Sequence, residues 1–100
     1  MKFKWCYLLT FTEAASSHEC MKRFLDSSDD ILNWHTPMSR SFFVVTTKAA
    51  SGLTTLIRKY TKDKGNFIVV DMNTDYGGWL SKASWEYVKE NKEMDQVTEA

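Results

Sequence analysis

From Phe3 to Phe11 the side chains alternate, with Phe3, Trp5, Tyr7, Leu9 and Phe11 on one side and Lys4, Cys6, Leu8 and Thr10 on the other. A period of two in a β-favouring composition predicts a strand, and one wholly apolar or aromatic face beside one mixed face predicts a central place in a sheet. The pattern then changes period. Ser16-Ser17-His18-Glu19 reads as a capping box, and Cys20, Met21, Phe24 and Leu25 follow at helical spacing until the polar run Ser27-Ser28-Asp29-Asp30. Ile31 to Met38 is strand-like but carries the only proline, Pro37. A proline cannot donate to a ladder, so this strand is expected at a sheet edge, or to stop at Thr36. Ser39-Arg40 turns the chain into Ser41 to Thr47, a continuous apolar and β-branched run that predicts a strand buried on both faces. The two strands form a hairpin.

From Ala49, Leu53, Leu56, Ile57 and Tyr60 recur at helical spacing and predict a second amphipathic helix, with Ser51 or Thr47 as its cap. It runs into Lys62-Asp63-Lys64-Gly65-Asn66, where Gly65 supplies the positive φ of a helix end or turn. Phe67 to Met72 is the last clear strand. A third, shorter helix is expected from about Ser81 to Asn91. The order β-α-β-β-α-β predicts the ferredoxin-like, split βαβ arrangement: an α+β domain over residues 1–93, with two helices on one face of a four-stranded antiparallel sheet, plus a short C-terminal helix. Residues 94–100 are acidic and are expected to be a disordered tail. Because both sheet faces carry large apolar groups, the face without helices must be covered by a second copy of the chain or by the C-terminal helix.

Composition narrows the function classes. With 43% hydrophobic and 14% aromatic residues in 100, one domain can bury a core without metal or disulfide staples. The formal net charge is +0, so no global field draws the chain to nucleic acid or to an anionic membrane. Cys6 and Cys20 lack zinc-site spacing and read as buried thiols. No run reaches the length of a membrane span, and the charges at Lys2 and Lys4 argue against a signal peptide. The expected location is the cytoplasm, that of the host if the chain comes from a phage or plasmid, with no cofactor and no bound metal.

Several residues carry candidate chemistry. His35, beside Trp34 near a turn, can exchange a proton near neutral pH, but no Ser or Cys nucleophile with a carboxylate partner is recognisable by spacing. It therefore reads as a strand histidine, and His18, on the polar side of the first helix, as a solvated one. Asp71 interrupts an apolar strand, and Asp75 follows in the loop Asn73 to Gly78. A cation could meet both, although Asn, Asp and Gly are also ordinary turn formers. Arg58, Lys59, Lys62 and Lys64 form the one dense basic cluster and are the candidate nucleic-acid contacts. Cations at a helix C-terminus also suit the helix dipole. Trp5, Tyr7, Trp34, Trp79 and Trp85 are the candidate interface residues, tryptophan and tyrosine being enriched at binding hot spots.

Tyr7-Leu8-Leu9-Thr10-Phe11, Trp34-His35, Ser41 to Thr46, Phe67 to Asp71 and Gly78-Trp79-Leu80 together resemble small bacterial proteins of the SinR family. Those look related to the CRISPR-adaptation-endonuclease-like and VapD-like ferredoxin folds. The resemblance implies a homodimer and, in nuclease members, an aspartate directly after the first strand that helps bind a metal. This chain has Leu9-Thr10-Phe11-Thr12-Glu13 there, with Glu13 as the nearest carboxylate. The expected function is a non-catalytic binding protein, acting as a homodimer on a protein or nucleic-acid partner, in the manner of a phage or mobile-element accessory or anti-defence factor. The alternative is a metal-dependent or degenerate nuclease of the CRISPR-adaptation-like group using His35, Glu13 or Asp71.

Overall fold

The computed structural model describes residues 4–73 and 75–97, with side chains in the last helix as far as Asn91. The elements are β1 (Trp5–Phe11), α1 (His18–Ser27), β2 (Ile31–Met38), β3 (Ser41–Thr46), α2 (Ala50–Thr61), β4 (Phe67–Asp71) and α3 (Lys82–Val97). The four strands form one antiparallel sheet in the order β2-β3-β1-β4. Since β1 and β2 both run opposite to β3, they are parallel to each other and joined through α1. By the same reasoning β3 and β4 are parallel, separated by β1 and joined through α2. Two split β-α-β units therefore interleave, an α+β architecture consistent with the ferredoxin-like pattern.

Helices α1 and α2 cover one face. Tyr7, Leu9 and Phe11 of β1 and Phe42 and Val44 of β3 pack there against Met21 and Leu25 of α1 and Leu53 and Ile57 of α2. Phe42 lies at the centre of an aromatic group, 6.1 Å from the ring of Phe11, 5.4 Å from that of Trp34 and 4.9 Å from that of His18. The opposite face holds a second, smaller core of Cys6, Phe43, Val45, Met72 and Val88. Helix α3 folds back to build it and covers part of this face, leaving Ile68 and Val70 of β4 exposed.

Every residue of β3 is buried, as its unbroken apolar run indicates. The proline strand β2 is at an edge and continues through Pro37 to Met38, with register shifts between Ile31 and Asn33 and between His35 and Met38. A bulge leaves room for a residue without an N–H donor.

Local details depart from the sequence expectations. The N-cap of α1 is Ser17, whose Oγ accepts from Cys20 N at 3.1 Å, and Ser16 instead shares a hydrogen bond of 3.1 Å with the Tyr60 hydroxyl. Cys20 is exposed, because it lies about 100° round α1 from Met21 and so off the buried stripe of Met21 and Leu25. His18 is half-buried, stacked on Phe42 and accepting at Nδ1 from the amide of Arg40 at 3.3 Å. Neither Thr47 nor Ser51 caps α2, whose N-cap is Ala49, with no side-chain bond. Lys62, at φ 57°, closes its C-terminus through its backbone N–H to the Arg58 carbonyl. Gly65 works one turn later, at φ 67°. Helix α3 extends to Val97 and thus through 94–97, while 98–100 of the expected tail lie outside the described residues.

Candidate functional site

The sheet face under α3 holds a polar constellation built around His35. His35 projects from β2 toward α3, and its Nε2 shares a hydrogen bond of 2.9 Å with Ser84 Oγ. Ser81, just ahead of α3, donates from Oγ to Ser84 Oγ at 3.1 Å and accepts from the Ser84 amide at 3.2 Å, so it caps the helix. The imidazole stacks on the Tyr87 ring at 5.0 Å and lies 6.4 Å from that of Phe43. A histidine nitrogen at 2.9 Å from a serine hydroxyl has the spacing of a base and a nucleophile. Accessibility decides against that use: Ser84 is 2% exposed, and its hydroxyl already serves both Ser81 and His35. The pair acts as a polar clamp that ties the start of α3 to the edge strand.

Tyr87 sits beneath this clamp. The residue is half-buried, and its hydroxyl is shielded from solvent with no hydrogen-bond partner among the described residues. Burial pushes the phenol well above its ordinary value near 10, and proximity to Cys6 adds to the shift. A phenol whose folded pKa is raised holds its proton in the native state after the unfolded chain has lost it. Its stabilising share is intact below pH of about 10 and declines as pH climbs above that value. Tyr87→Phe is therefore expected to flatten the alkaline limb of a urea-unfolding series between pH 9 and 11. It should also raise stability at pH 7 by about 1 kcal/mol, since an unpaired buried hydroxyl is removed. A variant less stable than the parent, with the same alkaline limb, would contradict this.

The other carboxylate candidates are elsewhere. Asp71 is on β4, the edge opposite β2, in register with Tyr7 and on the α1 and α2 face, whereas His35 is on the α3 face. Asp71 Oδ1 accepts from the Asn73 amide at 2.9 Å, an Asx turn that leads the chain off the sheet. Glu13 is exposed in the turn after β1, and Asp75 is exposed in the loop before α3. His35, Glu13 and Asp71 are thus not brought together. Among the described residues no group of three or more His, Cys, Asp or Glu is placed to hold a metal ion.

The basic cluster lies on the surface at the end of α2. Arg58 Nε donates to Asp63 Oδ1 at 2.7 Å, and Lys59, Lys62 and Lys64 are exposed along the same turn. The aromatic candidates divide. Tyr7 is buried, donating its hydroxyl to the Lys48 carbonyl at 3.1 Å, and Trp5 stacks on it at 6.4 Å. Both point to the α1 and α2 face, because odd-numbered β1 positions face that core, so they do not form an open surface. Trp34 is half-buried, donating Nε1 to Asp26 at 2.7 Å with Lys22 Nζ 5.9 Å above its ring. Trp85 is half-buried against Tyr76, with ring centres 5.9 Å apart.

Trp79 alone among these faces solvent entirely, at 98% exposure. It borders an apolar groove of about 220 Å³ whose walls include Leu8, Met38, Phe43, Val70, Met72 and Trp85. The groove lies where α3 leaves the sheet face uncovered, and Met38 and Val70 are exposed at its two sides. The aromatic content of the 76–85 segment was legible in the sequence. Its grouping with Leu8, Met38 and Val70, from three different strands, was not. No protein-family model, no curated protein and no solved structure matches this chain.

Among the described residues no helix is long and apolar enough to cross a membrane.

Proposed function

We propose that this chain is a non-catalytic binding protein with a ferredoxin-like fold that works as a homodimer and takes a protein partner on the groove beside Trp79. The observation that carries this reading is the nearly complete exposure of Trp79 at the rim of an apolar groove. A tryptophan left in water next to apolar walls is costly for an isolated chain, and aromatic anchors of this kind dominate binding energy at interfaces. The lining favours a protein side chain over a phosphate backbone, because the groove is walled by Leu, Met, Phe, Val and Trp side chains, while the basic cluster sits at the end of α2. The polar groups that could do chemistry are used internally: Ser84 is buried and the His35 ring is held between β2 and α3.

The test is a comparison of the parent with Trp79→Ala for partner capture from cells that carry the natural gene. Trp79 makes almost no contact within the protein, so the variant is expected to unfold at the same denaturant concentration. It should lose a partner at least about thirtyfold in affinity, the scale of a hot-spot residue. Unchanged capture by Trp79→Ala would overturn the reading. Capture of nucleic acid that is lost instead on charge reversal at Arg58 and Lys59 would replace it with a nucleic-acid function.

A further inference from the structure

The two edges of the sheet are not alike. Edge strand β2 carries Pro37 and two register irregularities, devices that stop another strand from pairing with it. Edge strand β4, Phe67-Ile68-Val69-Val70-Asp71, has none of them: its register with β1 is unbroken, and it contains no proline or lysine. It is also apolar on the side away from α1 and α2, with Ile68 56% and Val70 40% exposed.

The ladder shows which backbone groups of β4 point outward. Thr12 N donates to Asn66 O at 2.9 Å, and Met72 N donates to Cys6 O at 2.9 Å. In an antiparallel pair, hydrogen-bonded residues alternate with non-bonded ones, so Ile68 and Val70 turn their backbone groups to β1. Phe67, Val69 and Asp71 turn theirs to the open edge. Nor does α2 close that edge, since a groove of about 490 Å³ separates Ser51, Thr54 and Arg58 of α2 from Phe67 and Val69.

From this we infer that β4 is a self-pairing edge: a second copy of the chain adds its own β4 antiparallel to the first, about a two-fold axis at Val69, and continues the sheet through both protomers. This rests on the homodimer proposed above and specifies its interface. The strand fits itself. Val69 is both its middle residue and an outward-pointing one, so the axis makes Val69 exchange N–H···O bonds with its symmetry mate, and Phe67 meets the partner's Asp71. The register sets Ile68 beside the partner's Val70 on the face left open by α3, which removes two exposed apolar side chains per protomer from water. Charge agrees as well. The two Asp71 carboxylates are driven to opposite ends of the paired strands, and each comes beside the partner segment that carries Lys62 and Lys64. An interface of this kind is isologous and closes on itself, so it ends at a dimer.

The experiment is sedimentation equilibrium at micromolar concentration on the full chain, with two variants and residue-resolved amide exchange. The parent is expected to sediment at twice 11.6 kDa. Ile68→Lys sets a charge opposite an apolar residue at an exposed position, and Val69→Pro removes an outward N–H that makes no bond to β1. Each should weaken the dimer at least tenfold while circular dichroism stays that of the parent. The Val69 amide should be protected in the dimer and exchange rapidly in Ile68→Lys. A parent that is monomeric throughout would overturn both the homodimer and this edge. A parent that stays dimeric in both variants, with a fast-exchanging Val69 amide, would leave the homodimer standing and overturn this edge alone.

Discussion

Gly65→Ala is expected to be the most damaging single-methyl change in the chain, lowering the unfolding free energy by several kcal/mol, on the order of 3. Two independent causes act in the same direction. The backbone at Gly65 has φ 67°, where an L side chain crowds its own carbonyl at about 1 kcal/mol. A Cβ at this position would also lie 2.3 Å from Ala15 N, 2.7 Å from Thr12 Oγ1 and 2.8 Å from Ala14 C. Two of those three atoms are backbone, so the strain cannot be relieved by turning a side chain. The contact joins the turn after β1 to the turn before β4, and Thr12 Oγ1 there accepts from the Asn66 amide at 3.0 Å and donates to the Asn66 carbonyl at 3.3 Å. Forcing the turns apart shifts β4 along β1, so the variant should lose stability and dimer formation together. Chemical denaturation followed by sedimentation checks this; a loss below about 1 kcal/mol would show that the turns part easily.

Val88→Asp is expected to release α3 from the sheet. Val88 is completely buried against Cys6, Phe43, Val45 and Met72. A carboxylate there has no partner, and an uncompensated buried charge costs about 3 to 5 kcal/mol. The α1 and α2 core shares no buried side chain with this one, so the cost falls on the α3 face. The expected result is loss of the α3 share of the helical signal, with dye binding to the newly exposed face. The parent protection of the amides that bond β1 to β3 should persist. Cooperative loss of the whole fold would mean that the two cores are one unit.

What the sequence made legible follows from how strongly each segment's pattern limits its placement. The unbroken apolar run Ser41 to Thr46 admits little except a strand covered on both sides, and it is one. Pro37 removes a ladder donor, and the strand that holds it is at an edge. Where both faces of a strand are apolar, pattern alone does not say which face meets which layer, and so Trp5 and Tyr7 read as open surface although they lie under α1 and α2. Single-position offsets mattered too. Ser17 rather than Ser16 caps α1, and Cys20, one position before Met21, falls off the buried stripe of Met21 and Leu25. The length of α3 was missed because residues 89–97 are mostly charged or polar and signal no buried face. Of the candidate site, His35 was visible as a titratable group near a turn, but Ser84 is 49 residues away in sequence and meets it only through the folding back of α3. The groove beside Trp79 was hidden for the same reason, since its walls come from β1, β2, β3 and β4 and the segment before α3.

Trp79 is proposed as the contact residue for another protein, and site-specific cross-linking addresses that at the residue itself. A photoreactive benzoylphenylalanine in place of Trp79, in cells that carry the natural gene, is expected to give a discrete light-dependent adduct with a second, different protein. The same group at Arg23, exposed on α1, should give none. Equal or absent adducts at the two positions would contradict the account.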